Sequence, residues 1–116
     1  MSPGQPAPGS LLCALDAIPN PGSKGFMFRE GDRLFTGFVA RRGDAVFGYI
    51  DRCPHAGLPL AGLEGQFLTR EGGLILCSHH AALFRIEDGY CIAGPCAGRS
   101  LWPWAVTVAD GEVRAG

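Results

Sequence analysis

Apolar residues in this chain come in short bursts rather than at helical spacing. The stretches at 11–18 (LLCALDAI), 25–30 (GFMFRE), 33–42 (RLFTGFVARR) and 45–51 (AVFGYID) alternate or run briefly apolar, and Gly, Pro, Asp or Asn bounds each. Segments of this kind predict strands joined by tight turns, here EGD and RRGDA. A further strand over 73–77 (GLILC) ends on a cysteine. The pattern over 82–92 predicts a hairpin through Asp88-Gly89, and that over 104–116 a second one through Asp110-Gly111, because Asp-Gly suits a two-residue turn. No segment sustains a 3.6-residue period. The pattern therefore predicts an all-β fold of many short antiparallel strands.

Composition supports this picture. A chain of 116 residues with 47% hydrophobic content is one domain with a modest core. Its 18 glycines and 9 prolines suit a turn-rich β fold better than a helical bundle. Residues 1–10 (MSPGQPAPGS) carry no basic residue and no apolar run, so they read as a flexible tail rather than a targeting signal, and residues 11–116 as the folded domain. No apolar stretch is long enough to span a bilayer. A net charge of -1 with mixed signs argues against nucleic acid as the main partner. The expectation is a cytoplasmic protein.

Chemistry enters with the cysteines and histidines. The five cysteines are an odd number, and with no secretory signal they argue against a disulfide scaffold. All three histidines lie within three positions of a cysteine, in DRCPHAGLP and CSHHAALF. Both clusters directly follow predicted strands, with 21 residues (56–76) between them. Two such loops can meet at one tip of a domain, and the Gly/Pro loop AGPCAG (93–98) can close over it. Cys53-x-His55 and Cys77-x-x-His80 would supply two sulfurs and two imidazoles, a set that suits zinc or an iron–sulfur centre. Spacing alone also permits His79. Structural zinc sites usually pair Cys with Cys and His with His along the chain. Here each loop mixes the two types. That serves a two-iron cluster in which each loop gives one ligand to each iron.

The residues CPHAGL (53–58), CSHHAALF (77–84) and DGYCIAGP (88–95) resemble a Rieske-type 2Fe–2S domain. The resemblance covers about residues 35–113. It implies an antiparallel β-sandwich with a small cluster-binding subdomain. It also implies that Cys53 and Cys77 hold one iron and His55 and His80 the other, with Pro95 in the loop covering the cluster. It favours His80 over His79, which should face solvent or a partner.

The departures from the family pattern are informative. High-potential respiratory relatives have a disulfide where this chain has Leu58 and His79, and Ser and Tyr hydroxyls where it has Ala82 and Phe84. Relatives often have Gly after the second histidine. Here it is Ala81, for which an ordinary backbone conformation is expected, because a left-handed alanine costs about 1–2 kcal/mol. The spacer is long, so an extended hairpin between the loops is expected. With no side-chain donors the cluster should sit at the low end of the Rieske range, like the ferredoxins of multicomponent ring-hydroxylating oxygenases. The resemblance thus implies a monomeric one-electron carrier, not an enzyme, passing electrons from a flavin reductase to a terminal oxygenase. The partners would dock near His55 and His80, on a rim of Leu58, Pro59 and Pro95. The alternative is a small Rieske-like subunit of a larger reductase, such as assimilatory nitrite reductase. The length excludes an oxygenase catalytic subunit.

The remaining residues have simpler readings. Cys91 and Cys96 are buried thiols, Cys13 and Trp104 are core, Trp102 is packing or a docking surface, and Arg85, Arg99 and the Arg41-Arg42 pair are solvated charges.

Overall fold

The computed structural model describes residues 5–54, 60, 67–69, 72–77 and 81–116. Among these the chain is built from nine strands and one short 3-10 turn (Leu15–Ala17). The strands form three antiparallel three-stranded sheets. The first joins β1 (Leu11–Ala14), β9 (Glu112–Ala115) and β8 (Val106–Ala109) in the order β1-β9-β8. The second is β2 (Gly22–Glu30), β3 (Arg33–Arg42) and β4 (Ala45–Ile50), and the third is β5 (Leu74–Cys77), β6 (Ala82–Arg85) and β7 (Cys91–Ala93). The all-β expectation holds; the third sheet carries Cys77 at the end of β5 and leads into the Cys96 loop after β7, while Cys53 follows β4 of the second sheet.

Strand β3 organises the interior. Side chains alternate between faces of a strand, and both faces of β3 are covered. Phe38 and Ala40 join a core with Cys53, Cys77, Ile75 and Phe84. Phe35 and Val39 join a second core with Trp104, Val113 and Ile18. The Phe38 ring stacks on Phe67 at 4.4 Å between centroids, a contact worth about 0.5–1.5 kcal/mol beyond its buried area. Trp104 packs flush on β3 and β4 because two glycines make room. A Cβ at Gly37 would meet its ring at 2.8 Å, and one at Gly48 would meet its carbonyl at 2.3 Å.

The two Asp-Gly turns differ. Asp110 and Gly111 both have positive φ (54° and 75°), which is the geometry of a two-residue turn twisted to match its strands. The Asp88-Gly89 turn is wider than expected. Here Arg85 N–H donates to the Tyr90 carbonyl and Gly89 N–H to the Arg85 carbonyl, so residues 86–89 all lie in the loop. Asp88 accepts from Tyr90 N–H at 3.0 Å and from Arg85 Nε at 3.0 Å, which stabilises the longer form. The strand expected over 11–18 ends at Ala14. Beyond it, Arg41 Nη1 donates to the carbonyls of Leu15 and Ile18, both at 3.0 Å, and holds the 3-10 turn against β3. Arg41 is therefore a half-buried clamp, not a solvated charge. Arg42 pairs with Glu87 at the surface. Gly9 and Ser10, within the stretch expected to be a tail, hydrogen-bond with Ala115.

Candidate metal centre

Cys53 lies three residues beyond β4, and the backbone around it is fixed from both sides. Asp51 N–H donates to the Thr36 carbonyl. Asp51 Oδ1 accepts from Leu60 N–H at 2.8 Å. One carboxylate thus brackets the two ends of the loop that carries Cys53. Burial pushes the Asp51 carboxyl above its ordinary value, while the Leu60 N–H works in the opposite direction.

Cys77 closes β5 and lies directly opposite Ala82 of β6. Ala81 takes φ of 55°, against the expectation of an ordinary conformation. Ala81 holds this left-handed backbone directly before Ala82 pairs with Cys77, at a cost of about 1–2 kcal/mol. Before β5, Leu76 N–H donates to the Phe67 carbonyl and Thr69 N–H to the Leu74 carbonyl. Residues 67–69 thus extend the hairpin leading into Cys77.

The third loop closes on the other two. A Cβ at Gly94 (φ 100°) would meet Ala82 Cα at 2.7 Å, so only glycine lets residues 94–99 lie against β6. Arg99 Nη1 reaches the carbonyl of Pro54 at 3.2 Å and is a tie between loops rather than a solvated charge. Pro95 is exposed, while Cys96 turns inward. Cys96 Sγ lies 3.3 Å from Cys91 Sγ. Burial, then the Cys91 and Cys53 thiols, push the Cys96 thiol up to about 12.

Cys53 and Cys77 are both fully buried and belong to one core. Two cysteines from separate segments buried in one core fit the thiolate half of a metal site. His55, His79, His80, Leu58 and Pro59 lie outside the described residues. Cys91 and Cys96 are buried thiols, as expected, and Cys13 is half-buried against the second core. Trp102 is 44% exposed with the Arg52 guanidinium 5.4 Å from its ring, whereas Trp104 is core. Sequence reasoning missed the Asp51 bracket, the Arg99 tie and the Cys91–Cys96 contact. Each is a side-chain contact that spacing does not signal.

A small antiparallel β domain with two cysteines buried in one core is compatible with an iron–sulfur domain, and the family match defines it as one. Residues 12–113 match the Rieske [2Fe-2S] domain, and the chain belongs to that family. Its cofactor is accordingly a 2Fe–2S cluster. No curated protein sequence matches the chain significantly. Among solved structures it is similar to the ferredoxin of carbazole 1,9a-dioxygenase from Nocardioides aromaticivorans IC177, at 23% identity and TM-score 0.68, covering 100% of this chain and 98% of that one. It is similar to the Sphingomonas yanoikuyae B1 ferredoxin at 23% identity and TM-score 0.67, with 92% and 96% covered. It also matches a chain in a complex of reduced oxygenase and oxidized ferredoxin in carbazole 1,9a-dioxygenase, at 25% identity and TM-score 0.70, with 91% and 99% covered. In a carbazole-bound oxygenase–ferredoxin complex the chain it matches is much longer: the TM-score is 0.75 at 21% identity, and this chain spans 29% of that one's length.

Proposed function

We propose that the protein is a one-electron carrier, not itself an enzyme, that receives electrons from a flavin reductase and passes them to a terminal oxygenase. Cys53 and Cys77 would hold one iron of the cluster, and His55 and His80 the other. The observation that carries this reading is the full burial of Cys53 and Cys77 in one core, beneath a loop tied to Pro54 by Arg99. The near end-to-end match to ferredoxins of 96–98% coverage supports a free carrier over a fragment of a catalytic subunit.

The cluster, when bound, supplies reversible uptake of a single electron. The protein's part is to hold four ligands and to set the energy of that electron through burial and hydrogen bonds. Cys53 and Cys77 face the core, so the electron would enter and leave by the histidine side. A partner approaching there would meet the rim expected from Leu58, Pro59 and Pro95. We further propose that the carrier is monomeric, cytoplasmic and transiently bound. Among the described residues no helix is long and apolar enough to cross a membrane.

The test is iron and sulfide analysis of the purified protein, with EPR of the dithionite-reduced form. Two irons and two sulfides per chain, with the signal of mixed His/Cys ligation, are expected. Stoichiometric zinc without sulfide would overturn the reading. Substitution assigns the second histidine: His80→Ala should lose the cluster and His79→Ala should keep it. The reverse result would move the ligand to His79.

A further inference from the structure

Two cysteines outside the proposed ligand set lie side by side in the third loop. Cys91 Sγ and Cys96 Sγ are 3.3 Å apart, and both residues are 1% exposed. The backbone at each is fixed. Cys91 N–H donates to the Arg99 carbonyl at 2.8 Å, and the Cys91 carbonyl accepts from Gly98 N–H at 3.2 Å. The Cys96 carbonyl accepts from Arg99 N–H at 2.9 Å. Between them Gly94, at φ of 100°, turns the chain, and its carbonyl accepts from Ala97 N–H at 3.2 Å. The two sulfurs thus meet across a short segment whose ends are already pinned. A disulfide holds its sulfurs at about 2.05 Å, so these would have to close by only about 1.2 Å. A closure of that size lies within the reach of small χ1 rotations of the two side chains.

We propose that Cys91 and Cys96 are an oxidisable dithiol, and that a small peroxide converts them into a disulfide that staples the third loop to β7. The reaction balances in two steps. One sulfur takes an oxygen from hydrogen peroxide; the O–O bond breaks, and a sulfenic acid and water result. The second sulfur displaces that hydroxyl; the S–S bond forms, the S–O bond breaks, and the second thiol's proton leaves with the hydroxyl as another water. The pair gives up two electrons in all, and the peroxide takes them. The contact between the sulfurs decides the product. A sulfenic acid with a thiol beside it closes faster than it meets a second peroxide, so it is diverted from the irreversible sulfinic stage. Burial decides the oxidant and the pace. A peptide disulfide such as oxidised glutathione is too bulky to reach sulfurs that are 1% exposed. Thiols buried in apolar surroundings react slowly, so the pair registers sustained rather than brief exposure. The staple closes the same loop that Arg99 ties to Pro54.

The experiment treats the full-length, cluster-loaded protein with hydrogen peroxide or with oxidised glutathione. The protein is then alkylated under denaturing conditions without reductant, and its tryptic peptides are weighed. Cleavage at Arg85 and Arg99 puts both sulfurs in one peptide, residues 86–99, while Cys13, Cys53 and Cys77 fall in three others. Visible absorption reports whether the cluster stays bound throughout, and Cys13, half-buried against the other core, is the internal control. Peroxide should leave peptide 86–99 unalkylated and two hydrogens lighter than its dithiol, and dithiothreitol should restore both alkylation sites. Oxidised glutathione should leave that peptide fully alkylated. Cys91→Ser and Cys96→Ser each remove the resolving partner, so the remaining thiol should be trapped by dimedone or run on to sulfinic acid. Three results would overturn the proposal: both sulfurs of peptide 86–99 still alkylated at a dose that oxidises Cys13, a cross-link from that peptide to the one bearing Cys53, or sulfinic acid on Cys91 or Cys96 in the wild type.

Discussion

Arg99 reaches across from the third loop to the carbonyl of Pro54, the residue that follows Cys53. This guanidinium is an exposed fastening between the two segments. An exposed hydrogen bond of this kind contributes about 1 kcal/mol or less. Arg99→Ala should therefore leave global unfolding nearly unchanged while the visible absorption of the cluster bleaches faster on warming. Identical bleaching rates in the two proteins would show that the tie does not protect the centre.

Gly94 is the tightest point of the site. Its φ of 100° and the 2.7 Å approach of a notional Cβ to Ala82 Cα mean that any side chain must displace backbone. Gly94→Ala should destabilise the fold by more than about 2 kcal/mol and impair cluster loading, as read by denaturant unfolding and by the iron-to-protein ratio.

Ala81 offers the opposite change. At φ of 55° glycine is unstrained and alanine is not. The relief of about 1–2 kcal/mol is partly offset by the greater freedom of glycine in the unfolded chain, about 0.4–1 kcal/mol. Ala81→Gly should thus stabilise the protein slightly, by about 0.5–1 kcal/mol. Loss of stability on chemical denaturation would contradict the strain at this position.

Tyr49 gives a pH signature. Its hydroxyl donates to the Ile86 carbonyl inside the main core. Burial, with Asp88 and Glu87 nearby, raises its ionisation well above the ordinary 10.0. Because the folded value lies above the unfolded one, the contribution is fully present below pH 10 and is lost as pH rises beyond it. The slope is at most about 1.4 kcal/mol per pH unit. Tyr49→Phe should lose about 1–2 kcal/mol at neutral pH and should also lose that part of the alkaline slope. Unfolding curves at pH 8 to 11 measure both.

Ala82 and Phe84 bear on potential. With neither hydroxyl present, the midpoint should lie nearer to about -150 mV than to about +300 mV. Ala82→Ser and Phe84→Tyr should each raise it, provided the new hydroxyl finds a sulfur. A wild-type midpoint above about +150 mV would contradict the low-potential assignment.

Legibility in the sequence followed the range of the interaction involved. Strand β3 was readable to the residue because alternation and its flanking turns are local. The Asp110-Gly111 turn was readable because both residues take the positive φ that Asp-Gly tolerates. The Asp88-Gly89 turn was misjudged because Asp88 spends its carboxylate on Arg85 and Tyr90. Both partners lie within three residues, but which of them the carboxylate takes is not set by the turn residues alone. Ala81 was misjudged because propensity favoured relaxed backbone, while the direct pairing of Cys77 with Ala82 overrode it. Cys53 and Cys77 could be singled out by spacing, but their joint burial and the closeness of Cys96 depend on three loops converging. No local pattern encodes that.

The two-faced strand β3 sets how far a change in this protein can spread. Residues 38 and 40 look toward the cysteines, and residues 35 and 39 toward Trp104. The pleat insulates one compartment from the other against changes of side chain, so the electron's energy can be retuned by substitutions on one side without repacking the other. It offers no such insulation against a slip of the strand itself. Moving β3 by one residue would exchange the contents of both compartments at once. Tolerance at individual positions and intolerance of register therefore come from the same ten residues.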